Sequence, residues 1–274
     1  MILITGIKGF LASRLIEQME EKRQIVGFGR EQSITEHGIP IANSLEQIAR
    51  EYRINTIYHL ASFIPYGAYN QPDQRFISDN IELTIKLTRL FPEARIIYAS
   101  SVSIYGSTAS VPITVDTAIE RPTLYGLSKL AGETVIRQHP SFGIVRFSSI
   151  IGKGMKINSF LPVIIKNAKQ EQKITLLGNG ARIQNYIDVR DAAALLLLLG
   201  ASTENIITLG VAQKHYSNRE IAEKVKQQIN CEIIYKGHDN SENYVYEWPD
   251  SLEKIKFSPK YSIDDTIADI IYEI

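Results

Sequence analysis

The feature that most limits what this chain can become is an alternation of short β-branched apolar runs with longer helical stretches. The runs are Ile2–Thr5, Gln24–Phe28, Thr56–Leu60, Arg95–Ala99 and Gly143–Phe147. Helical periodicity falls between them, near Leu11–Glu21, Leu45–Tyr52, Gln74–Leu90 and Leu124–Gln138. Strands apolar throughout, separated by helices, predict a parallel sheet covered on both faces. Ligands of such sheets collect beyond the carboxyl ends of the strands. The loops after Thr5, Phe28, Leu60, Ala99 and Phe147 are therefore where chemistry is expected.

Beyond Phe147 the rhythm loosens, broken by Gly152, Gly154, Gly178 and Gly180. A strand-like Tyr186–Val189 leads into an apolar helix at Ala192–Leu199, and an amphipathic helix closes the chain at Ile263–Tyr272. The expected organisation is a doubly wound α/β domain spanning 1–148 plus about 184–210, with a small C-terminal unit from about 149–183 and 211–274 acting as a substrate lid. The 274 residues, 44% apolar and 22% charged, suffice for one large core with such an appendage.

Basic and acidic residues balance at 30 each, which removes any global field favouring nucleic acid or acidic membranes. With Cys231 alone and five histidines, neither an internal disulfide nor a structural zinc site is expected. The Ala192–Leu199 run is far shorter than the roughly 20 residues needed to span a bilayer. The start, MILITGIKGFL, lacks a basic leader region and a cleavage site, so a cytoplasmic protein is expected.

Thr5-Gly6-Ile7-Lys8-Gly9-Phe10-Leu11-Ala12 joins the first strand to the first helix. Gly6 and Gly9 permit a tight turn and close approach to a pyrophosphate, which the helix N-terminus then stabilises. Ala12 supplies the small residue needed for close helix–strand packing. Gly-x-x-Gly alone also describes a plain strand–helix turn; its place after the first strand is what makes it a dinucleotide signal. An acidic residue at the end of the second strand would take the ribose of NAD. Gly27-Phe28-Gly29-Arg30 stands there instead, and Arg30 reads either as a 2′-phosphate contact, which selects NADP over NAD, or as a solvated loop charge.

Ser100-Ser101-Val102-Ser103-Ile104-Tyr105-Gly106 follows the fourth strand, and Tyr125-Gly126-Leu127-Ser128-Lys129 comes some twenty residues later. Residues four apart share a helix face. A tyrosine of pKa ~10 is a poor base at neutral pH, and an adjacent ammonium favours its phenolate. Lys129 is also placed to hold the nicotinamide ribose, and Ser101 to hydrogen-bond the oxygen on which charge changes. Tyr-x-x-x-Lys alone is often a surface helix pair; with the serine run and the glycine loop in this order it describes proton transfer coupled to hydride chemistry at a carbinol carbon. His59, alone in an apolar strand, reads as core packing or a strand-end contact.

These segments make the chain resemble the extended short-chain dehydrogenase/reductase family, the NAD-dependent epimerase/dehydratase group acting on nucleotide sugars. The matching stretches are TGIKGFL (5–11), HLA (59–61), Asn80, SSVSIYG (100–106), YGLSKLAGE (125–133), VRFSSIIGKG (145–154), GNGARIQNYIDVRDAA (178–193) and LEKIKFSPKYSIDD (252–265). The resemblance implies a Rossmann-type fold, a small substrate domain, and a homodimer built from the helices near 74–90 and 123–138. It implies Tyr125 as general acid/base, Lys129 as its partner and Ser101 as the oxyanion-side donor. Gly6, Gly9, Phe10, Leu11, Leu60 and Ala61 line the cofactor, joined by Arg30, Tyr125 and Lys129. Ser101, Ser103, Ser149 and Arg182 face the substrate.

The departures are informative. Dehydratases of this group carry Asp-Glu after the catalytic hydroxyl, whereas Val102-Ser103 stand here, which argues against dehydration. Ser149 replaces a common Asn, and Gln184-Asn185-Tyr186 replaces an Arg-Asp-Phe segment whose arginine grips the nucleotide diphosphate. Arg182, two residues upstream, is the candidate substitute. The expected activity is reduction of a 4-keto group on a nucleotide-activated deoxysugar with NADPH; the alternative is a C4 epimerase retaining NAD.

Overall fold

In the computed structural model, described for residues 1–65, 71–107 and 111–274, every one of the five strand-like runs becomes a strand of a single sheet. In chain order the elements begin β1 (Ile2–Thr5), α1 (Phe10–Gln18), β2 (Ile25–Phe28), β3 (Ser33–Ile34), β4 (Pro40–Ala42), α2 (Leu45–Glu51) and β5 (Thr56–His59). Then come α3 (Arg75–Ile77), a π turn (Ser78–Glu82), α4 (Leu83–Leu90), β6 (Arg95–Ser101), a 3₁₀ turn (Val102–Tyr105), α5 (Leu124–Ile136) and β7 (Phe142–Phe147). The remainder is β8 (Ser149–Ile151), α6 (Phe160–Glu171), β9 (Lys173–Leu177), β10 (Ile183–Asp188), α7 (Val189–Ala201), β11 (Ile206–Gly210) and β12 (His215–Ser217). The chain ends with α8 (Asn218–Gln228), β13 (Glu232–Lys236), α9 (Asp250–Lys254) and α10 (Ile263–Glu273).

The main sheet has the order β11-β7-β6-β5-β1-β2-β4-β3, parallel throughout except for the edge strand β3. From β1 the chain first builds outward through β2 and β4, then returns to build the other way through β5, β6, β7 and β11. The order therefore reverses between β1 and β5, and a crevice opens at their carboxyl ends. Neighbouring residues of each strand point to opposite faces. Ile4, Ile97 and Val145 pack with α1 and α7, whereas Leu3, Ile96 and Ile144 pack with α2, α4 and α5. Both faces are thus sealed, as parallel sheets require.

β7 leaves the sheet at Ser148 and continues as β8, which pairs in parallel with β10; β12 adds an antiparallel third strand. β9 and β13 form a separate parallel pair. Around these strands α6, α8 and α10 enclose a core of their own, including Ile165, Ile174, Val225 and Ile267.

Two local differences from the sequence reading matter. The expected helix Gln74–Leu90 contains the π turn at Ser78–Glu82, where one extra residue per turn shifts the helical face. The Tyr186–Val189 strand starts earlier, at Ile183, because β12 supplies pairing partners for Ile183–Asn185.

Candidate active site

Gly6 adopts φ +68°, and a Cβ there would stand 2.8 Å from the Ala61 amide nitrogen. Only glycine lets β1 turn back so closely against the loop after β5. The Gly9 amide donates to the Gly6 carbonyl at 2.8 Å, and Gly9 then caps α1 without any side-chain hydrogen bond. No acidic residue lies in the first turn of α1. Its open N–H groups and positive dipole end fit a pyrophosphate. Phe10 is half-buried beside Gly152 and Gly154, and Leu11 and Leu60 pack onto the sheet core.

Beneath this loop lies a dry relay. The Ala61 amide donates to Thr5 Oγ1 (3.1 Å), Thr5 Oγ1 meets His59 Nδ1 (2.8 Å), and His59 Nε2 meets Thr84 Oγ1 (2.8 Å). Because the Thr84 hydroxyl donates to the Asn80 carbonyl, His59 Nε2 carries the proton towards Thr84 and Nδ1 accepts from Thr5. Burial, aided by the nearby Lys129 charge, holds His59 down to about 3, so the ring is neutral. His59 is a core residue that ties β1, β5 and α4 together.

Asn80, 1% exposed, performs a second tie. Its Oδ1 accepts from the Phe63 amide (2.6 Å) and the Ser62 hydroxyl (3.2 Å). Its Nδ2 donates to the Phe63 carbonyl (3.0 Å) and to Ser128 Oγ (2.9 Å), and Ser128 donates to the Tyr125 carbonyl (2.8 Å). The segment after β5 is thereby fixed to α5 between Tyr125 and Lys129.

Ser101 ends β6 and caps the 3₁₀ turn. Its Oγ accepts from the Ser103 amide (3.1 Å) and donates to Ser103 Oγ (3.0 Å). The first turn of α5 sits directly on this segment, since a Cβ at Gly126 would collide with the Ser103 carbonyl oxygen. Tyr125 (8% exposed) and Lys129 (2%) both face inward, and Tyr125 lies close to Tyr98. The Lys129 ammonium stands 4.2 Å from the centre of the Tyr98 ring. Burial lowers Lys129 to about 7, opposed by the Glu133 carboxylate one turn on. Tyr98 itself is pushed well up, chiefly by burial, so it offers a neutral aromatic face to the ammonium.

The Ser101–Ser103 turn and α5 rest on a buried ion pair. Glu133 and Arg146 meet through bonds of 3.1, 3.2 and 2.8 Å with both groups nearly inaccessible. Ser100 also donates to Glu133, and Arg146 donates to the Tyr105 hydroxyl (2.8 Å) and the Val115 carbonyl (2.7 Å). One carboxylate thus joins α5, β6 and β7 under Ser101.

At the far end of the crevice Arg30 follows β2 and Asn43 follows β4. Arg30 donates to Asp79 Oδ2 at 3.0 Å, its side chain 85% exposed. On the opposite flank Ser149 begins β8 at the surface. Arg182 lies in a polar recess formed by residues 178–182 and 237–243, where its Nε is buried with no hydrogen-bond partner among the described residues. Gln184 does not share this position: its amide donates to Asn218 Oδ1 (3.0 Å). From the recess the chain runs back to the 3₁₀ turn: the Tyr244 amide donates to the Ile183 carbonyl, and Tyr246, which bridges to Ile113, packs in one cluster with Ile104 and Tyr105.

The structure thus gathers Gly6, Gly9, Phe10, Ala61, Ser101, Ser103, Tyr125 and Lys129 around one crevice, with Arg30 at one end and Arg182 apart on the smaller unit. Sequence reasoning missed Tyr98, Thr5, Thr84, Asp79 and the Glu133–Arg146 pair. Glu133 alone carried a local signal, four residues after Lys129 on the same helix face.

The profile of the NAD dependent epimerase/dehydratase family matches residues 2–210. The chain belongs to this family, and it is an enzyme of the extended short-chain dehydrogenase/reductase type. A UDP-glucose 4-epimerase of Dictyostelium discoideum is 23% identical, aligned over 85% of this chain and 83% of its own. A dTDP-4-dehydro-6-deoxyglucose reductase of Escherichia coli is 22% identical over 100% and 97%. The fold is shared with a UDP-glucuronic acid 4-epimerase from Bacillus cereus solved in complex with NAD, at TM-score 0.83 and 16% identity over 99% and 97% of the two chains. No helix among the described residues is long and apolar enough to cross a membrane, and no group of three or more metal-ligating side chains occurs among them.

Proposed function

We propose that the chain reduces a 4-keto group on a nucleotide-activated deoxysugar, with NADPH as the reductant. The observation that carries this reading is the inward-facing Tyr125–Lys129 pair seated on the Ser101–Ser103 turn at the switch point of the sheet. Gly6, Gly9, the α1 N-terminus and Ala61 would hold the dinucleotide, which supplies hydride when bound. Tyr125 donates its phenolic proton to the oxygen that becomes an alkoxide, and Ser101 steadies that oxygen by hydrogen bonding. Lys129, seated over the Tyr98 ring, stabilises the phenolate left behind.

Val102 and Ser103, in place of an acidic pair, support reduction over dehydration. The exposed Arg30 supports a 2′-phosphate. The recess around Arg182 supports a nucleotide diphosphate, because its buried Nε, without a partner among the described residues, is a donor suited to an oxygen. The unit built on β8–β10, β12 and β13 would then be the substrate-binding part, and the faces of α4 and α5 the contact of a homodimer.

A second reading is C4 epimerisation with retained NAD, favoured by the epimerase name of the Dictyostelium relative. A dTDP-linked 4-keto-6-deoxyhexose added to enzyme and NADPH separates the two. Stoichiometric loss of reduced-nicotinamide absorbance supports the reductase. No loss, with nicotinamide released only on denaturation, supports the epimerase. Tyr125→Phe should abolish either activity, by about 10²–10⁴-fold, while leaving cofactor binding in place; retained turnover would overturn the mechanism.

A further inference from the structure

The Arg30–Asp79 ion pair crosses the mouth of the cofactor crevice. Arg30 follows β2, and Asp79 lies in the π turn reached from β5, with β1 and its glycine loop between them. The carboxylate is set by its own neighbours: the Ser78 hydroxyl donates to Oδ1 (3.0 Å), leaving Oδ2 for the Arg30 guanidinium (3.0 Å). The next residue, Asn80, is anchored on both sides, so the backbone beneath Asp79 is held in place. Asp79 is also near enough to Arg75 to interact with its charge.

This arrangement gives one cation two claimants. An arginine after β2 accommodates a 2′-phosphate on the adenosine ribose. Asp79 already neutralises that arginine, and its negative charge opposes a dianionic phosphate brought to the same place. A ribose bearing only a hydroxyl makes no such demand, and the ion pair persists beside it. We propose that Asp79 moderates the cofactor preference of this enzyme by holding Arg30, so that NADP(H) is gripped less tightly than Arg30 alone would allow while NAD(H) binding is left intact. The inference rests on the reading of Arg30 as the 2′-phosphate contact.

The test is titration of the purified protein with NADPH and with NADH, followed by cofactor fluorescence, for the parent, Asp79→Asn, Arg30→Ala and the double variant. Both side chains are at the surface, and thermal melting of each variant checks that the fold is kept. Asp79→Asn should tighten NADPH by about threefold to tenfold, the scale of an exposed charge pair, and move NADH less than about twofold. Arg30→Ala should weaken NADPH selectively, and the double variant should match Arg30→Ala. Added salt should shrink the gain of Asp79→Asn. If Arg30→Ala weakens NADPH but Asp79→Asn leaves it unchanged, or shifts both cofactors equally, Asp79 is not the selector and the reading of Arg30 stands. If Arg30→Ala leaves the ratio of the two affinities unchanged, the reading of Arg30 itself fails and the inference falls with it.

Discussion

The face of the large sheet under Ser101 and the polar recess around Arg182 treat charge in opposite ways. Under Ser101 the charges are dry: Glu133 is matched with Arg146, while the Lys129 ammonium stands over the Tyr98 ring within electrostatic reach of Glu133 and still carries a burial cost. In the recess Arg182 faces open polar residues with its Nε unpartnered among the described residues, and Asp239 lies within electrostatic reach of it. The first region carries its geometry in the folded protein before any ligand arrives. The second keeps donors in hand for whatever enters. Chemistry that must place a proton within tenths of an ångström needs the former, whereas recognition of a hydrated, charged ligand is compatible with the latter.

The comparison breaks most visibly at Glu133. Glu133→Ala would leave the Arg146 guanidinium buried beside an empty space, and denaturant unfolding should show a loss of about 3–5 kcal/mol. Asp239→Ala in the recess should cost less than ~1 kcal/mol by the same measurement. Equal losses would show that the two regions do not differ as described.

Lys129 sharpens the contrast through pH. Its folded pKa, about 7, lies below its unfolded value, so the buried ammonium costs stability most fully below pH 7. The cost fades as pH rises from there towards the unfolded lysine value of ~10.4, where both states are neutral. Lys129→Met should therefore melt higher than the parent at pH 6, with a gap that closes towards pH 10, while turnover is lost. A gap that widened with pH would contradict the burial argument.

The smallest effect belongs to Arg182. Arg182→Gln should leave melting within ~1 °C of the parent. It should raise KM for the nucleotide sugar by roughly tenfold, as loss of a charged hydrogen bond does, with kcat little changed. A fall in kcat at constant KM would place Arg182 with the reacting atoms instead.

The glycine loop and the Tyr125–Lys129 spacing were legible because each is local. A turn between strand and helix needs glycine at fixed offsets, and a helix places residues four apart on one side whatever surrounds it. The alternation of runs likewise predicted a parallel, doubly covered sheet, since burial on both faces leaves no polar alternation to read. The π turn was invisible because one extra residue in a turn does not disturb an apolar pattern judged over the whole of Gln74–Leu90. Arg182 was singled out only because Gln184 stood in an arginine's place; its unpartnered nitrogen emerged from the fold.

What the sequence determined by itself is the family and the local pieces: the glycine turn after β1, the serine turn after β6 and the Tyr125–Lys129 spacing on one helix face. The tertiary structure decided who meets whom. It set Asn80 against Ser128, His59 between Thr5 and Thr84, Glu133 against Arg146, and Arg30 against Asp79. The physical reason is that periodicity encodes the direction of a side chain. Partnership between residues tens of positions apart is chosen by how sheet, helix and loop pack, and by the cost of burying any polar group that finds no match.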